Sequence, residues 1–308
     1  MPLAAEYQAM FAQLAEQDPA PGLWELTAVE GREMYSAMRP VNPDLAVHQV
    51  ENKTIRGSLG EIPLRIYSPA GAGPFGVLMY FHGGGWVIGD LDTGDAVCRD
   101  LCTHGNLVVV SVGYRKAPEY IYPAAVNDCY DATCWAAEHT AELNGNGKLG
   151  VTGESAGGNL SAVMALKARD ENGPQIDFQC LLYPVTDCDF SYPSYAENGE
   201  GYLLETQTME WFWDYYCPFE DKREEPFASP IRAEDLSNLP PALVVTAEFD
   251  PLRDEGKAYA DALAAAGNQV EYVCYDGLVH DFFATAAVFP CSRAGFDASL
   301  AQIKSALG

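Results

Sequence analysis

Gly153-Glu154-Ser155-Ala156-Gly157-Gly158 lies between a short apolar strand, Lys148 to Thr152, and a helix-forming run that continues through Asn159-Leu160-Ser161-Ala162-Val163-Met164-Ala165-Leu166. A strand that turns into a helix at a single serine strains the backbone there, so the neighbouring positions must be glycine or small while the serine Oγ points out of the sheet. The stretch reads as a nucleophile elbow and makes Ser155 the candidate nucleophile. A glycine-rich turn without chemistry has the same local pattern, so the rest of the chain has to decide.

Upstream, the apolar strand Gly76-Val77-Leu78-Met79-Tyr80-Phe81 runs straight into His82-Gly83-Gly84-Gly85-Trp86. Three consecutive glycines leave backbone N–H groups uncovered, and such donors stabilise the oxyanion of a tetrahedral intermediate together with the N–H of the residue after the nucleophile. Gly83, Gly84 and Ala156 are therefore the candidate oxyanion hole. A phosphate cradle is the competing use of glycine-rich loops, but the spacing here fits neither G-x-G-x-x-G nor the Walker pattern, and no Lys-Ser/Thr pair follows.

These two motifs together resemble the hormone-sensitive-lipase family of α/β-hydrolase esterases, the bacterial family IV carboxylesterases. Further segments carry the resemblance in order along the chain: Gly113-Tyr114-Arg115-Lys116-Ala117-Pro118-Glu119, Tyr122-Pro123-Ala124-Ala125 with Asp128, Tyr183-Pro184, and Asp250-Pro251-Leu252-Arg253-Asp254, so that roughly residues 50 to 285 are covered. The family usually has Asp or Thr where this chain has Glu154. That longer acid is expected to brace the elbow from behind through hydrogen bonds. The resemblance implies a serine carboxylesterase acting on short- to medium-chain acyl esters through an acyl-enzyme. An amidase or deacetylase of the same fold and a non-catalytic ligand-binding receptor are the alternatives.

The triad partners follow from chemistry and chain order. A serine needs a base to take its proton, and the base needs a carboxylate to fix its tautomer, in the order Ser, Asp or Glu, His for this fold. Of the five histidines, only His280 follows Ser155. It sits in Asp276-Gly277-Leu278-Val279-His280-Asp281-Phe282-Phe283, read as a loop after the strand Val270 to Tyr275. Asp250 closes the apolar strand Ala242-Leu243-Val244-Val245-Thr246-Ala247 and is the candidate acid, the position that the resemblance also assigns. Asp254 and Glu255 open the following helix, where acids suit its N-terminus, and Asp276 and Asp281 flank the histidine on its own loop.

Apolar strands alternate with helical stretches from Val77 onward: strands at 77–81, 107–112, 148–152, 178–183, 242–247 and 270–275, helices at 93–104, 123–140, 156–170, 254–266 and 293–306. This βαβ alternation predicts an α/β fold with a mostly parallel, doubly wound sheet flanked by helices, and Val47 to Tyr67 reads as antiparallel strands at its edge. Residues 1–45 are expected to form a helical arm, with helices Ala4 to Gln17 and Leu23 to Met38 interrupted by Asp18-Pro19-Ala20-Pro21-Gly22, and 46–308 the catalytic domain. A stretch dense in aromatics at about 190–235 falls outside the alternation. The resemblance makes it, with the arm, a helical cap over the site, and implies Trp86, Tyr183, Leu203 and Phe212 as substrate-binding residues.

With 44 acids against 18 bases the net charge is −26, which repels phosphate backbones and anionic lipid. No nucleic-acid partner is expected, and no run approaches the roughly 20 apolar residues of a membrane span. Strong acidity also suits high salt, although ordinary solubility explains it as well. Met1 to Ala20 lacks a basic and an apolar region of the secretory kind, and the nine cysteines are an odd number without C-x-x-C, so a cytoplasmic protein with reduced thiols is expected. Cys98, Cys102 and His104 lack a second ligand pair, and neither a metal nor a cofactor is expected. Homodimerisation is implied by the resemblance alone, and the expected partner is a small-molecule ester.

Overall fold

The computed structural model describes residues 2–17, 20–39 and 45–308. Asp18 and Pro19 of the expected helix interruption, and the stretch 40–44 before the expected boundary at 45, lie outside the described residues. Among the described residues eight strands form one sheet: β1 (Gln49–Gly57), β2 (Gly60–Ser68), β3 (Phe75–Phe81), β4 (Val108–Val112), β5 (Gly145–Glu154), β6 (Phe178–Leu182), β7 (Ala242–Phe249) and β8 (Val270–Val279). Their spatial order is β1-β2-β4-β3-β5-β6-β7-β8. β2 is antiparallel to β1 and β4, and every other pair is parallel. The expected edge hairpin is present, and β1 keeps it solvated with Glu51, Lys53 and Arg56, charges that discourage pairing with a second chain.

Among the described residues ten α-helices follow in chain order: α1 (Ala5–Ala15), α2 (Ala28–Met38), α3 (Asp95–Gly105), α4 (Ala124–Glu138), α5 (Ala156–Asp170), α6 (Pro193–Asn198), α7 (Thr206–Tyr216), α8 (Glu220–Arg223), α9 (Arg253–Ala265) and α10 (Pro290–Leu307). Strand pleating sends alternate residues to opposite faces. On β3, Val77, Met79 and Phe81 meet apolar residues of α4 and α5, whereas Leu78 and Tyr80 meet α3 and α10. Farther along the sheet, Leu181 and Val244 pack against α5 and α9. Helices therefore cover both faces, which is why the central strands read as unbroken apolar runs.

The departures from expectation lie at element ends. β8 continues past Tyr275 to Val279 through Gly277 at φ 74°, with a register shift between Ala247 and Phe249 on its neighbour, so His280 follows a strand directly. α10 starts at Pro290, whose missing N–H costs nothing at a first helical position. The expected helix from Leu23 is a short 3₁₀ turn, Leu23–Glu25, and α2 begins only after Thr27. There the Thr27 hydroxyl accepts from the Glu30 N–H at 3.3 Å while the Glu30 carboxylate accepts from the Thr27 N–H at 2.9 Å.

β6 and β7 are sheet neighbours although residues 183–241 separate them. That excursion carries α6, α7 and α8, and Asn159 of α5 pins both its ends by donating to the carbonyls of Val185 at 3.0 Å and Ala228 at 2.9 Å. The amino-terminal segment divides between two partners. Tyr7 of α1 hydrogen-bonds Thr285 at 2.7 Å and Ser292 at 2.8 Å, whereas Trp211 of α7 donates its indole N–H to the Leu26 carbonyl at 3.2 Å just before α2. Among the described residues no helix is long and apolar enough to cross a membrane.

Candidate active site

His82, Ser155, Asp250 and His280 each stand one residue past the carboxyl end of a parallel strand, β3, β5, β7 and β8 respectively. The chain leaves β3 for β4 on one side and then crosses to β5 on the other, which opens a crevice at the carboxyl edge.

Ser155 has φ 56° and ψ −115°, a sparsely populated backbone conformation, at the N-cap of α5. Its surroundings hold it there. The Ser155 N–H donates to the Leu182 carbonyl at 2.9 Å, and its own carbonyl accepts from Val185 at 3.3 Å. A Cβ on Gly157 would sit 1.9 Å from the Phe81 carbonyl oxygen, so the first turn of α5 can lie against the end of β3 only with glycine at that position. The serine consequently faces the positive end of α5, where a developing negative charge is favoured.

The glycine loop abuts this turn. A Cβ on Gly83 would lie 3.2 Å from the Glu154 carbonyl oxygen, and Gly84 and Gly85 adopt φ 107° and 55°. Among the described residues the N–H groups of Gly83 and Gly84 donate no hydrogen bond. His82 sets their direction. Its Nδ1 donates at 2.8 Å to the Gly83 carbonyl, and since C=O and N–H oppose each other across a trans peptide, the Gly84 N–H points the other way. The His82 ring stacks on Tyr114 at 4.1 Å, and the Tyr114 hydroxyl donates to the His82 carbonyl at 2.8 Å.

Burial, aided by the Lys116 cation, pushes the His82 imidazole down to about 3 from its ordinary 6.5. An unfolded chain takes up this proton near 6.5 and the folded one only near 3, so the contribution of neutral His82 is present above 6.5 and lost as pH falls through that window. Stability measured by urea unfolding between about pH 6.5 and 5, above most carboxylate titration, is expected to fall with a shallower slope in His82→Gln than in the wild type. Equal slopes would remove His82 from the acid sensitivity of the fold.

The structure brings Asp250 and His280 together: the Nδ1 of His280 lies 2.8 Å from Asp250 Oδ2. The other carboxylate oxygen, Oδ1, accepts from the Leu252 N–H at 2.9 Å, and the aspartate is fully buried. Asn198 of α6 donates to the Glu248 carbonyl at 3.2 Å, and Ser194 donates to the Pro251 carbonyl at 2.6 Å, so the excursion between β6 and β7 grips the loop that carries Asp250. Tyr183 connects the surroundings of His280 and Ser155. It lies between Leu182 and Val185, the residues that bond the Ser155 backbone, and its ring stands 4.9 Å from the His280 imidazole.

The other acids weighed in the sequence have work elsewhere. Asp254 accepts from the Ser194 N–H at 2.9 Å and pairs with Arg253, and Glu255 accepts from the Thr186 N–H at 2.7 Å and the Tyr195 hydroxyl at 3.0 Å. Burial raises the Glu255 carboxyl well above the usual carboxylate range. Neither is a plain helix-start acid. The Glu154 carboxylate is buried and faces Arg39 at 3.7 Å as an ion pair, in place of the expected hydrogen bonds. Cys98 and Cys102 are buried, and His104 bonds Asp100 at 2.6 Å on its own helix.

Of the expected substrate-binding residues, Trp86, Tyr183 and Phe212 are buried and Leu203 is exposed. Trp86, at φ 60°, directs its indole into an aromatic layer, stacked at 4.0 Å on Tyr216 and 5.1 Å from Trp213. It shapes the glycine loop from behind. Phe212 sits over Gly85, where a Cβ would come within 2.0 Å of its ring. Sequence reasoning missed Arg32, Arg39 and the contact of Tyr114 with His82, because each acts through a contact distant along the chain that no local pattern announces, and it missed the Leu252 N–H, two residues from Asp250, because a backbone donor leaves no mark on residue type.

Residues 78–284 match the family model for the alpha/beta hydrolase fold. The chain is 42% identical over 287 residues to the carboxylic ester hydrolase LipN of Mycobacterium tuberculosis, covering 91% of this chain and 76% of that protein. It is 40% identical over 228 residues to an ethyl acetate hydrolase of Pseudomonas putida, covering 72% and 71% of the two chains. A thermostable esterase from Pseudomonas putida ECU1011 superposes with a TM-score of 0.95 at 41% identity, over 100% of this chain and 98% of that one.

Proposed function

Since this chain belongs to the α/β-hydrolase fold family, in its hormone-sensitive-lipase branch, and is a carboxylic ester hydrolase, we propose that it works by two-step acyl transfer through Ser155, His280 and Asp250. The observation that carries this reading is the Asp250–His280 pair at 2.8 Å, at the same carboxyl edge of the sheet as a serine held at φ 56°. Asp250 occupies Nδ1 of the imidazole, which fixes the proton there and leaves Nε2 as the basic atom. His280 takes the Ser155 proton as Oγ attacks the ester carbonyl. The N–H groups of Gly83, Gly84 and Ala156 receive the oxyanion, His280 returns the proton to the leaving alcohol, and water activated by the same nitrogen releases the acid.

The acyl specificity proposed is short to medium chain. Support comes from Phe212, packed over Gly85, and from the buried layer of Trp86, Trp213 and Tyr216 next to the glycine loop, bulk that suits a confined acyl group. The segment with α2 and the excursion with α6 and α7 would together form the cap, supported by the Trp211–Leu26 hydrogen bond that joins them. Hydrolysis of p-nitrophenyl esters from acetate to palmitate, in the wild type and Ser155→Ala, tests both parts. The expected result is a Ser155-dependent optimum between acetate and octanoate. An optimum at palmitate would overturn the confined pocket, and turnover of arylamides without ester turnover would replace the esterase reading by the amidase one.

A further inference from the structure

Arg39, just past the end of α2, spreads one guanidinium between two carboxylates. Its Nη1 lies 3.7 Å from Glu154 Oε2, and its Nη2 contacts Asp281 Oδ2. Glu154 immediately precedes Ser155 and Asp281 immediately follows His280. A single cation therefore attracts both turns that carry the nucleophile and the base. Arg39 and Glu154 side chains are only 12% and 2% exposed, so water screens this pairing weakly. Both turns also hold uncommon backbone, φ 56° at Ser155 and φ 69° at Asp281, and such conformations persist only where the surroundings over-determine them.

A second arginine lies seven residues earlier on the same face of α2. Arg32 donates to the Val87 carbonyl at 2.8 Å and the Ala117 carbonyl at 2.7 Å, and pairs with Glu119. It thereby holds the segment that leaves the glycine loop. Tyr35, between the two arginines, lies under the Arg39 guanidinium at 4.6 Å. One helix face thus reaches the oxyanion loop at one end and the nucleophile and base turns at the other.

We propose that Arg39 is a positioning residue: by bridging Glu154 and Asp281 it sets the spacing between Ser155 and His280, so that α2 belongs to the catalytic assembly as well as covering it. This rests on the reading of Ser155 and His280 as nucleophile and base. A planar fork with fixed donors can serve two carboxylates at once, whereas a lysine ammonium is a compact point charge.

The test is steady-state kinetics on p-nitrophenyl butyrate with Arg39→Met, Arg39→Lys, Asp281→Asn and the double variant Arg39→Met/Asp281→Asn, each with its melting temperature. Loosening a reacting pair by about 1 Å slows an enzyme by about 10²-fold. Arg39→Met is expected to lower kcat by roughly 10- to 100-fold with KM within about twofold, Arg39→Lys to recover part of the loss, and the double variant to be no slower than the worse single one. If Arg39→Met does not fold, Arg39→Lys and Asp281→Asn carry the same comparison. A lowered melting temperature with unchanged kcat at 25 °C would overturn the proposal, as would a raised KM alone or strictly multiplicative single effects. Ser155→Ala, run alongside, separates the two readings: if it is inactive while the Arg39 variants keep full kcat, only the positioning role falls.

Discussion

Ser155→Ala is expected to lower kcat/KM on p-nitrophenyl butyrate by about 10⁴- to 10⁶-fold while leaving the melting temperature within a few degrees of wild type. The loss is large because, in the proposed mechanism, both steps pass through an acyl-enzyme that alanine has no atom to form. It is not total in principle. The donors at Gly83 and Gly84 remain, and an oxyanion hole with substrate binding alone retains roughly 10³- to 10⁴-fold over water. The fold tolerates the change because the Ser155 backbone bonds, to Leu182 and Val185, do not use the side chain. Undiminished ester hydrolysis in this variant would remove Ser155 from the mechanism.

Asp250→Asn is expected to lower kcat by about 10⁴-fold, and the reason lies in which atoms the carboxylate uses. Oδ1 accepts from the Leu252 N–H at 2.9 Å and Oδ2 faces the His280 Nδ1 at 2.8 Å, so both oxygens act as acceptors. Asparagine has one oxygen. If that oxygen stays on Leu252, its NH₂ faces Nδ1, which must then become an acceptor, and the imidazole proton moves to Nε2, the atom required to take the serine proton. If the amide turns over, the Leu252 N–H is left buried against a donor. The second arrangement keeps the tautomer but sets two buried donors against each other, so the first prevails and the base is disabled with almost no change of volume. Kinetics together with an imidazole NMR spectrum reporting the tautomer check this, and a variant with wild-type kcat would show that Asp250 is not the triad acid.

The parts of the fold legible in the sequence were those where local chemistry and tertiary packing agree. Val77 to Phe81, Val108 to Val112 and Ala242 to Ala247 read as strands because burial on both faces demands continuous apolar runs, and the βαβ order they imply is the order of the parallel sheet. Element ends were less legible. β5 begins at Gly145, before the expected start at Lys148, and Gly277, expected in a loop after Tyr275, lies within β8, because sheet hydrogen bonds to neighbouring strands override glycine's weak propensity. Thr27 with Glu30 did carry a readable capping pattern that marks the true start of α2. Ser155, Asp250 and His280 could be proposed from the sequence since chemistry restricts a triad to few residue types in a set order. Arg39 could not be, for an arginine before a proline announces nothing until the fold sets it between residues 154 and 281.

The excursion between β6 and β7 has a consequence for how new specificities can arise in this scaffold. Gln179 to Leu182 pair with Ala242 to Val245 directly, so the register of the sheet does not depend on how long the intervening chain is or what it contains. Asn159 closes the loop at its two ends, at Val185 and Ala228, like a clasp. Segments exchanged between those points leave the sheet untouched provided they keep Ser194 and Asn198, which hold the Asp250 loop from inside the excursion, and Phe212, Trp213 and Tyr216, which pack on Gly85 and Trp86. The molecule is in that sense a fixed engine with an interchangeable front, and chimeras cut just inside the clasp are the natural units for recombination.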